Sequence, residues 1–270
     1  MHKAIDTINQ DHSKIVEWSK AYGLSINPLK TKVIIVGSSR LISKIDWTSL
    51  PQVEFDGAKV DISETVKNLG IIIDRELSWR PHLTNLSRRL FASSASLRRL
   101  KNFLPTATKV MLAQSLLLPI LDYADASYVD LTQEQLNKLE RLQNVCIRFI
   151  FGLRKFDHVS EYRKKLKWLP IRLRRNVHLL SLLYNVLFDP RTPPYLKERF
   201  DFLHLSHSRY LRSSNNLSLM TPVHTSSFVD NSFTVQAVRL WNSLPLNIRQ
   251  AKSVSSFKVM VTNHFRSSHI

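Results

Sequence analysis

The order of structural elements is decided by the stretch Val66-Lys67-Asn68-Leu69-Gly70-Ile71-Ile72-Ile73-Asp74, which is followed by Leu77-Ser78-Trp79-Arg80-Pro81-His82-Leu83. Its first part, above all residues 68–73, is rich in β-branched side chains, as strands are. From His82 onward the apolar residues recur at helical spacing. The chain therefore changes from a part with strands to a helical part at this point.

Before this point the sequence predicts one helix and a small sheet. Apolar residues at helical spacing predict a helix over residues 3–21, and Gly23 is expected to end it with a positive φ. The run Lys32–Val36 predicts a buried strand, and Asp56-Gly57 is the strongest signal of a hairpin turn. We expect residues 24–75 to form a small sheet backed by the first helix.

After this point the sequence predicts mainly helices. The first helix is marked by the regularly spaced leucines Leu83, Leu86, Leu90, Leu97 and Leu100. Further helices are predicted over residues 106–121, 132–151, 171–188, 233–244 and 257–265. Thr132 and Gln135 have the spacing of a capping box. Residues 205–230, rich in Ser, Thr, Asn and His, are expected to form a loop or weak strands. The fold class is therefore α+β, predominantly α-helical.

The net charge of +18 is placed almost entirely in the helical part. Residues 1–80 hold 11 basic and 10 acidic side chains, whereas residues 81–270 hold 28 basic and 11 acidic, a net charge of +17. A charge so one-sided favours a polyanionic partner, because neutralised phosphates release counterions. A generally basic soluble protein is the alternative, and an acidic membrane surface is a weaker one.

Several classes of protein are excluded by composition and motifs. The single cysteine, Cys146, rules out an internal disulfide and a Cys-rich zinc site, and its apolar neighbours predict a buried structural thiol. His204 and His207 have no further metal ligand nearby, so we expect no metal site. We also expect no signal peptide and no membrane span, and no nucleotide-binding motif suggests a cofactor. The sequence favours an intracellular chain and leaves open whether it lies in the nucleus or the cytoplasm.

An ordered set of motifs resembles one known family. The segment Trp18–Lys32, the run Val33–Val36 and residues 66–83 resemble the back half of the reverse transcriptase palm of jockey-like non-LTR retrotransposons. Later residues resemble the regions after the thumb of the same elements. They are Leu139–Arg148, Asp157–Ser160 and Arg239–Pro245. The resemblance implies a palm remnant over residues 1–80, a helical thumb over 81–130 and a basic helical C-terminal region over 131–270.

The same resemblance implies that no catalytic residue is present. That family's Asp-Asp hairpin lies before the palm-like segment, and this chain opens with Met1 after that point. Tyr123-Ala124-Asp125-Ala126 does not replace the hairpin, because two-metal phosphoryl transfer needs paired carboxylates and the second position is Ala126. We therefore expect a catalytically inactive fragment. Mg²⁺ would be needed only by a full-length polymerase, and the missing upstream half is a candidate protein partner.

Three candidate nucleic-acid contacts lie in the palm-like part. In the resemblance, Lys30 and Lys32 match the basic end of the motif that follows the catalytic hairpin, where a lysine assists the departure of pyrophosphate. Gly70 matches the primer-grip hairpin, where a glycine allows a sugar-phosphate backbone to come close. The alternative interpretation is two solvated lysines and an ordinary strand.

The remaining candidates are two basic clusters that we expect to contact the phosphates of an RNA or DNA template-primer. The first cluster consists of Arg88, Arg89, Arg98, Arg99 and Lys101. The second consists of Arg163, Lys164, Lys165, Lys167, Arg172, Arg174 and Arg175, with Trp168 inside it as a possible stacking residue. A solvated helix face is the alternative for both clusters.

Three functional hypotheses follow from the sequence. The first is a non-catalytic fragment of an RNA-directed DNA polymerase that retains phosphate-directed binding of RNA or DNA. The second is a domesticated nucleic-acid-binding adaptor. The third is a gene-model fragment of a full, active reverse transcriptase.

Overall fold

The computed structural model describes residues 1–203 and 217–268. The chain forms two units, Met1–Asn85 (unit 1) and Leu86–Ile270 (unit 2). Unit 2 contains +17 of the net charge of +18, since residues 81–85 carry no charged side chain. The domain boundaries predicted after residues 80 and 130 stay predictions.

Unit 1 contains one long and one short helix, one 3₁₀ turn and two β-hairpins, and helix α3 begins at its end. The elements are α1 (His2–Ala21), the 3₁₀ turn Pro28–Lys30, α2 (Ser39–Ile42), β1 (Val53–Phe55), β2 (Ala58–Val60), β3 (Thr65–Asn68), β4 (Ile71–Asp74) and α3 (Arg80–Arg98).

The core of unit 1 is small and forms between α1 and the first hairpin. Ile5 and Val16 of α1 are buried together with Val53, Phe55 and Val60. The predicted first helix is therefore confirmed. Its predicted end is confirmed as well, because Gly23 has φ +68°.

The predicted strand at Lys32–Val36 is wrong. Only Val33 forms a bridge, to Ile62, although the backbone here also bonds at its two ends: Ser63 N donates to Val33 O at 2.8 Å, and Gly37 N donates to Arg75 O at 3.0 Å. A β-branched run needs a neighbouring ladder to become a strand, and the available partners pair with each other. Strands β1 with β2 and β3 with β4 form two separate antiparallel hairpins instead of one sheet.

The predicted hairpin at Asp56-Gly57 is confirmed as the turn between β1 and β2. Asp56 has φ +47° and Gly57 has φ +75°, the positive values that a two-residue turn of this kind requires. Val53 pairs with Val60 across the hairpin, so this turn sets the register that buries both side chains.

We expect Gly57→Ala to lower the free energy of unfolding of unit 1 by about 1 kcal/mol, because a Cβ disfavours the left-handed backbone. No atom lies within 4 Å of the added Cβ, so the loss would come from the backbone alone. Gly37→Ala is the matched control, since its φ is not positive and its Cβ would come no closer than 3.5 Å to Ile42 Cδ1. Urea denaturation of both variants measures the difference, and equal stability of the two would contradict this account.

The second hairpin leads directly into α3. Its turn is Leu69-Gly70, with φ of +44° and +89°, and Asn68 pairs with Ile71. The buried carboxylate of Asp74 accepts hydrogen bonds from Ser78 N and Trp79 N, both at 3.0 Å. Asp74 thereby holds the turn that ends the strand and starts the helix.

The regular elements in the described part of unit 2 are helices and helical turns. After α3 come α4 (Thr106–Leu112), α5 (Leu118–Asp122), α6 (Gln133–Phe151), α7 (Ser160–Lys165), α8 (Ile171–Phe188), α9 (Pro194–Lys197), α10 (Ser227–Asp230), α11 (Phe233–Ser243), α12 (Leu246–Arg249) and α13 (Val254–Ser267). A π turn, Ala113–Leu117, joins α4 to α5, and a 3₁₀ turn covers Asp125–Ser127.

These helices confirm the predicted ones, with one local difference. The helix predicted over residues 106–121 contains the π turn, which lies just before Pro119. Proline lacks the N–H that would continue the α-helical hydrogen bonds, so the backbone shifts to a wider turn here. The predicted capping box is confirmed: Thr132 Oγ1 accepts from Gln135 N at 3.3 Å, and Gln135 Oε1 accepts from Thr132 N at 2.9 Å.

The core of unit 2 forms around α8, which packs against α6, α11 and α13. Trp241 and Phe257 are fully buried, and their ring centres lie 5.6 Å apart. Cys146 is buried in α6, and burial raises the pKa of its thiol to about 12. The structural thiol is therefore confirmed.

The predicted loop over residues 205–230 is described only from residue 217. There, Leu219 forms an isolated bridge to Phe202, and α10 follows. The candidate pair His204 and His207 lies outside the described residues. Among residues 1–203 and 217–268, no helix combines the length and apolar character that crossing a membrane requires.

Candidate nucleic-acid interface

Unit 2 contains a cationic groove of about 850 Å³ between the C-terminal half of α3 and helix α6. Six basic side chains line it, and no acidic one does. The six, called the groove cations below, are Arg98, Lys101, Lys138, Arg141, Arg148 and Lys155. A groove with cations of one sign concentrates anions, because low-dielectric walls focus the field.

Helix α6 supplies three of the groove cations from a single face. Lys138, Arg141 and Arg148 are spaced three and seven residues apart, which places them one above the other on a helix. Over ten residues the rise is about 15 Å, so this row can follow a stretch of backbone. The opposite face carries Leu139, Cys146 and Ile150, which are buried, and this burial fixes the rotation of the helix.

The groove cations are not neutralised by carboxylates. No ion pair within the described part of the chain, residues 1–203 and 217–268, involves any of them. Two are oriented by carbonyl oxygens: Arg141 Nε donates to Asn137 O at 3.2 Å, and Arg148 Nε donates to Arg154 O at 3.2 Å. These bonds leave the positive charge available for a ligand while limiting the motion of the side chain.

The floor of the groove is apolar. Leu142 and Phe149 of α6 are buried beneath it, and Val145 and Leu153 are partly exposed. Phe91 of α3 also lines it, with 51% of its surface exposed. The groove thus combines a cationic rim with an apolar base.

The first predicted basic cluster is divided by the structure. Arg98 and Lys101 line the groove. Arg88, Arg89 and Arg99 are exposed but do not line it. In unit 1, Lys30 and Lys32 are exposed, and Gly70 lies in the turn of the second hairpin.

The members of the second predicted basic cluster are partly exposed and partly buried. Lys164, Lys165 and Lys167 are exposed on α7 and the turn after it. Arg172 is exposed and donates to Gln133 Oε1. Trp168 is 9% exposed, so it presents no face on which a base could stack.

Arg163 belongs to the interior. It forms an ion pair with Glu140 of α6, and its NH2 donates to Asn144 Oδ1 at 2.7 Å. The same Glu140 accepts a hydrogen bond from Ile171 N at 2.8 Å. Arg163 thus helps to hold α6, α7 and the start of α8 together.

Arg174 pairs with Asp122 at the end of α5. Its Nε donates to Asp122 Oδ1 at 2.6 Å, and a second bond joins its NH2 to Asp122 Oδ2. Burial alone would lower the pKa of Arg174, but the bonds to Asp122 outweigh this and raise the pKa. This guanidinium is therefore charged and already engaged.

Arg175 is buried and joins the same region of the fold. Its NH2 donates to Asp125 O at 2.9 Å and to Tyr128 O at 2.6 Å, and its guanidinium lies 4.6 Å from the centre of the Tyr128 ring. Burial raises the pKa of Tyr128 above its usual value. Arg174 and Arg175 therefore connect α8 to residues 122–128, and their role is structural.

One group of side chains has the donor types of a metal site. Asp122, Asp125 and His178 place ligand atoms within 4.8 Å of one another. Asp122 already binds Arg174, and Asp125 Oδ2 lies 2.7 Å from His178 Nδ1. A cation would have to displace Arg174 and break the Asp125–His178 hydrogen bond, so the group fits an internal polar network better than a metal.

Four groove cations were missed by the sequence analysis: Lys138, Arg141, Arg148 and Lys155. The signal that could have found the first three is the row of basic residues on one face of α6, opposite its apolar face; Lys155 lies beyond the end of this helix. Because the basic residues of α6 are spread along the helix, they form no local cluster in the sequence.

The fold and the groove define an α+β, predominantly helical chain with a basic, acid-free groove. The chain is similar to the RNA-directed DNA polymerases of jockey-type non-LTR elements. It is 26% identical over 154 residues to the RNA-directed DNA polymerase from mobile element jockey of Drosophila melanogaster, which covers 56% of this chain and 16% of the relative. The corresponding Drosophila funebris protein is 27% identical over 154 residues, with the same coverage.

A third relative is the probable RNA-directed DNA polymerase from transposon X-element of Drosophila melanogaster. It is 23% identical over 169 residues, which is 62% of this chain and 18% of the relative. The chain thus spans about a sixth of the length of the curated relatives it matches. No family model and no solved structure matches it. The resemblance to jockey-like reverse transcriptases is confirmed.

Proposed function

We propose that these 270 residues bind RNA or DNA through phosphate contacts, as a part of a non-LTR retrotransposon RNA-directed DNA polymerase that performs no chemistry itself. The observation that carries the proposal is the groove with six cations and no acid. Phosphate contacts position a nucleic acid without reading its sequence, and Lys and Arg side chains supply them.

The similarity to polymerases supports nucleic acid as the polyanion. The charge distribution supports it too, because the excess of +17 lies in the unit that contains the groove. The exposed Lys164, Lys165 and Lys167 can extend the interface, as can Arg88, Arg89 and Arg99. The proposed interface leaves out Arg163, Trp168, Arg174 and Arg175, which are engaged inside the fold.

The position of Asp125 supports a binding role without catalysis. Its side chain is 4% exposed and bonds to His178, and the neighbouring Asp122 is held by Arg174. Two-metal phosphoryl transfer requires carboxylates that can reach two cations and a substrate. In this proposal Mg²⁺ is a requirement of a polymerase site other than these residues.

The test is binding of the purified chain to a labelled template-primer and to a single strand across a salt series. If all six groove cations contact phosphates, log K should fall with log [salt] with a slope of about −4 to −5. A slope near zero, or no binding at low salt, would overturn the proposal.

A further inference from the structure

We propose that the groove takes a single-stranded segment, of RNA or DNA, and places a base against its apolar floor at Phe91. This inference rests on the proposed function and names the form of nucleic acid that the groove selects. It is carried by the separation of the groove into a cationic rim and an apolar base.

A duplex would gain no favourable contact from an apolar floor. A double helix presents phosphates and sugars outward and keeps its bases stacked inside, so polar groups would have to be desolvated against Phe91, Val145 and Leu153, the exposed part of the floor. A single strand can turn its bases toward the floor while its phosphates stay with the rim. Proteins that bind single strands combine a positive groove with exposed aromatic rings in this way.

Phe91 is placed to provide the stacking surface. Half of it is exposed, and within the described residues it stacks on no other ring. Arg98 follows it by two turns of α3, about 10 Å along the axis on the same side of the helix. One short piece of strand can therefore contact the ring with a base and the guanidinium with a phosphate.

The size of the groove agrees with this ligand. Its volume of about 850 Å³ lies within the range of about 300–1,000 Å³ that is typical of small-molecule pockets, so it has room for an unpaired base. Among the groove-lining residues, the apolar ones outnumber the neutral polar ones, and none carries a negative charge. Because every base has a π-face, we expect little preference for sequence.

The experiment compares Phe91→Ala with the unmodified chain on a 12-nucleotide single strand and on a hairpin duplex of the same sequence, each as RNA and as DNA. We expect the unmodified chain to bind the single strand more tightly. Phe91→Ala should weaken single-strand binding by about 5- to 150-fold, the range for loss of one stacked base, with duplex binding and the salt slope unchanged. Phe91→Trp should retain the preference.

Phe103→Ala is the matched control, since Phe103 is 82% exposed and does not line the groove. It should leave every affinity unchanged. Equal affinity for strand and duplex, or an equal effect of Phe91→Ala on both, would overturn the inference. Salt-dependent binding without a single-strand preference would refute this inference alone, whereas salt-independent binding would refute the proposed function itself.

Discussion

Replacing Lys101, Lys138 and Arg141 together with glutamine should weaken nucleic-acid binding by about 100- to 500-fold at 0.1 M salt. Each phosphate contact contributes about 0.7 to 0.9 to the slope of log K against log [salt]. Three lost contacts therefore make the slope less steep by about 2 to 3. Since 0.1 M lies one decade of salt below the 1 M reference, the affinity of the variant at 0.1 M falls by the same number of decades. Fluorescence anisotropy across a salt series measures both quantities.

The control for this variant changes the net charge equally but elsewhere. Lys3, Lys44 and Lys59 are exposed lysines of unit 1, and none forms an ion pair within the described residues. Their replacement with glutamine should alter affinity and slope by much less. If both triple variants lost affinity equally, the overall charge and not the groove would account for binding.

Arg175→Met should lower the free energy of unfolding of unit 2 by about 3 kcal/mol, because it removes a buried guanidinium whose NH2 group bonds to two backbone carbonyls. The carbonyl oxygens of Asp125 and Tyr128 would both lose the donor that now binds them, and the cation above the Tyr128 ring would be lost as well. Methionine fills much of the volume but donates no hydrogen bond. Chemical denaturation followed by circular dichroism measures the change.

Arg172→Met is the matched control on the same helix. Arg172 is exposed, so its replacement should change stability by no more than about 0.5 kcal/mol. A folded Arg175→Met variant of unchanged stability that had lost nucleic-acid binding would contradict the structural role. It would place Arg175 in the interface that the sequence analysis predicted.

The helices and turns that depend on neighbouring residues were predictable. The capping box at Thr132 and the turn at Asp56-Gly57 involve residues at most three positions apart, so their chemistry is complete in the local sequence. The strand predicted at Lys32–Val36 failed because a strand depends on a partner elsewhere in the chain. Its nearest neighbours had paired with each other.

The candidate site was predictable only in part, for the same reason. The run from Arg163 to Arg175 contains seven basic residues, but their roles depend on acceptors far away in the sequence. Arg163 meets Glu140, Arg174 meets Asp122, and the exposed lysines between them meet neither. Local charge density does not distinguish a buried ion pair from a free cation.

The sequence by itself determined the helical class, the position of the charge and the resemblance to jockey-like reverse transcriptases. These properties follow from composition, periodicity and ordered motifs, which are local along the chain. Only the tertiary structure decided which cations are free, because packing α3 beside α6 assembles a groove from residues as distant as Phe91 and Lys155. The tertiary structure also decided which cations are paired inside the fold, because a buried charge needs a partner.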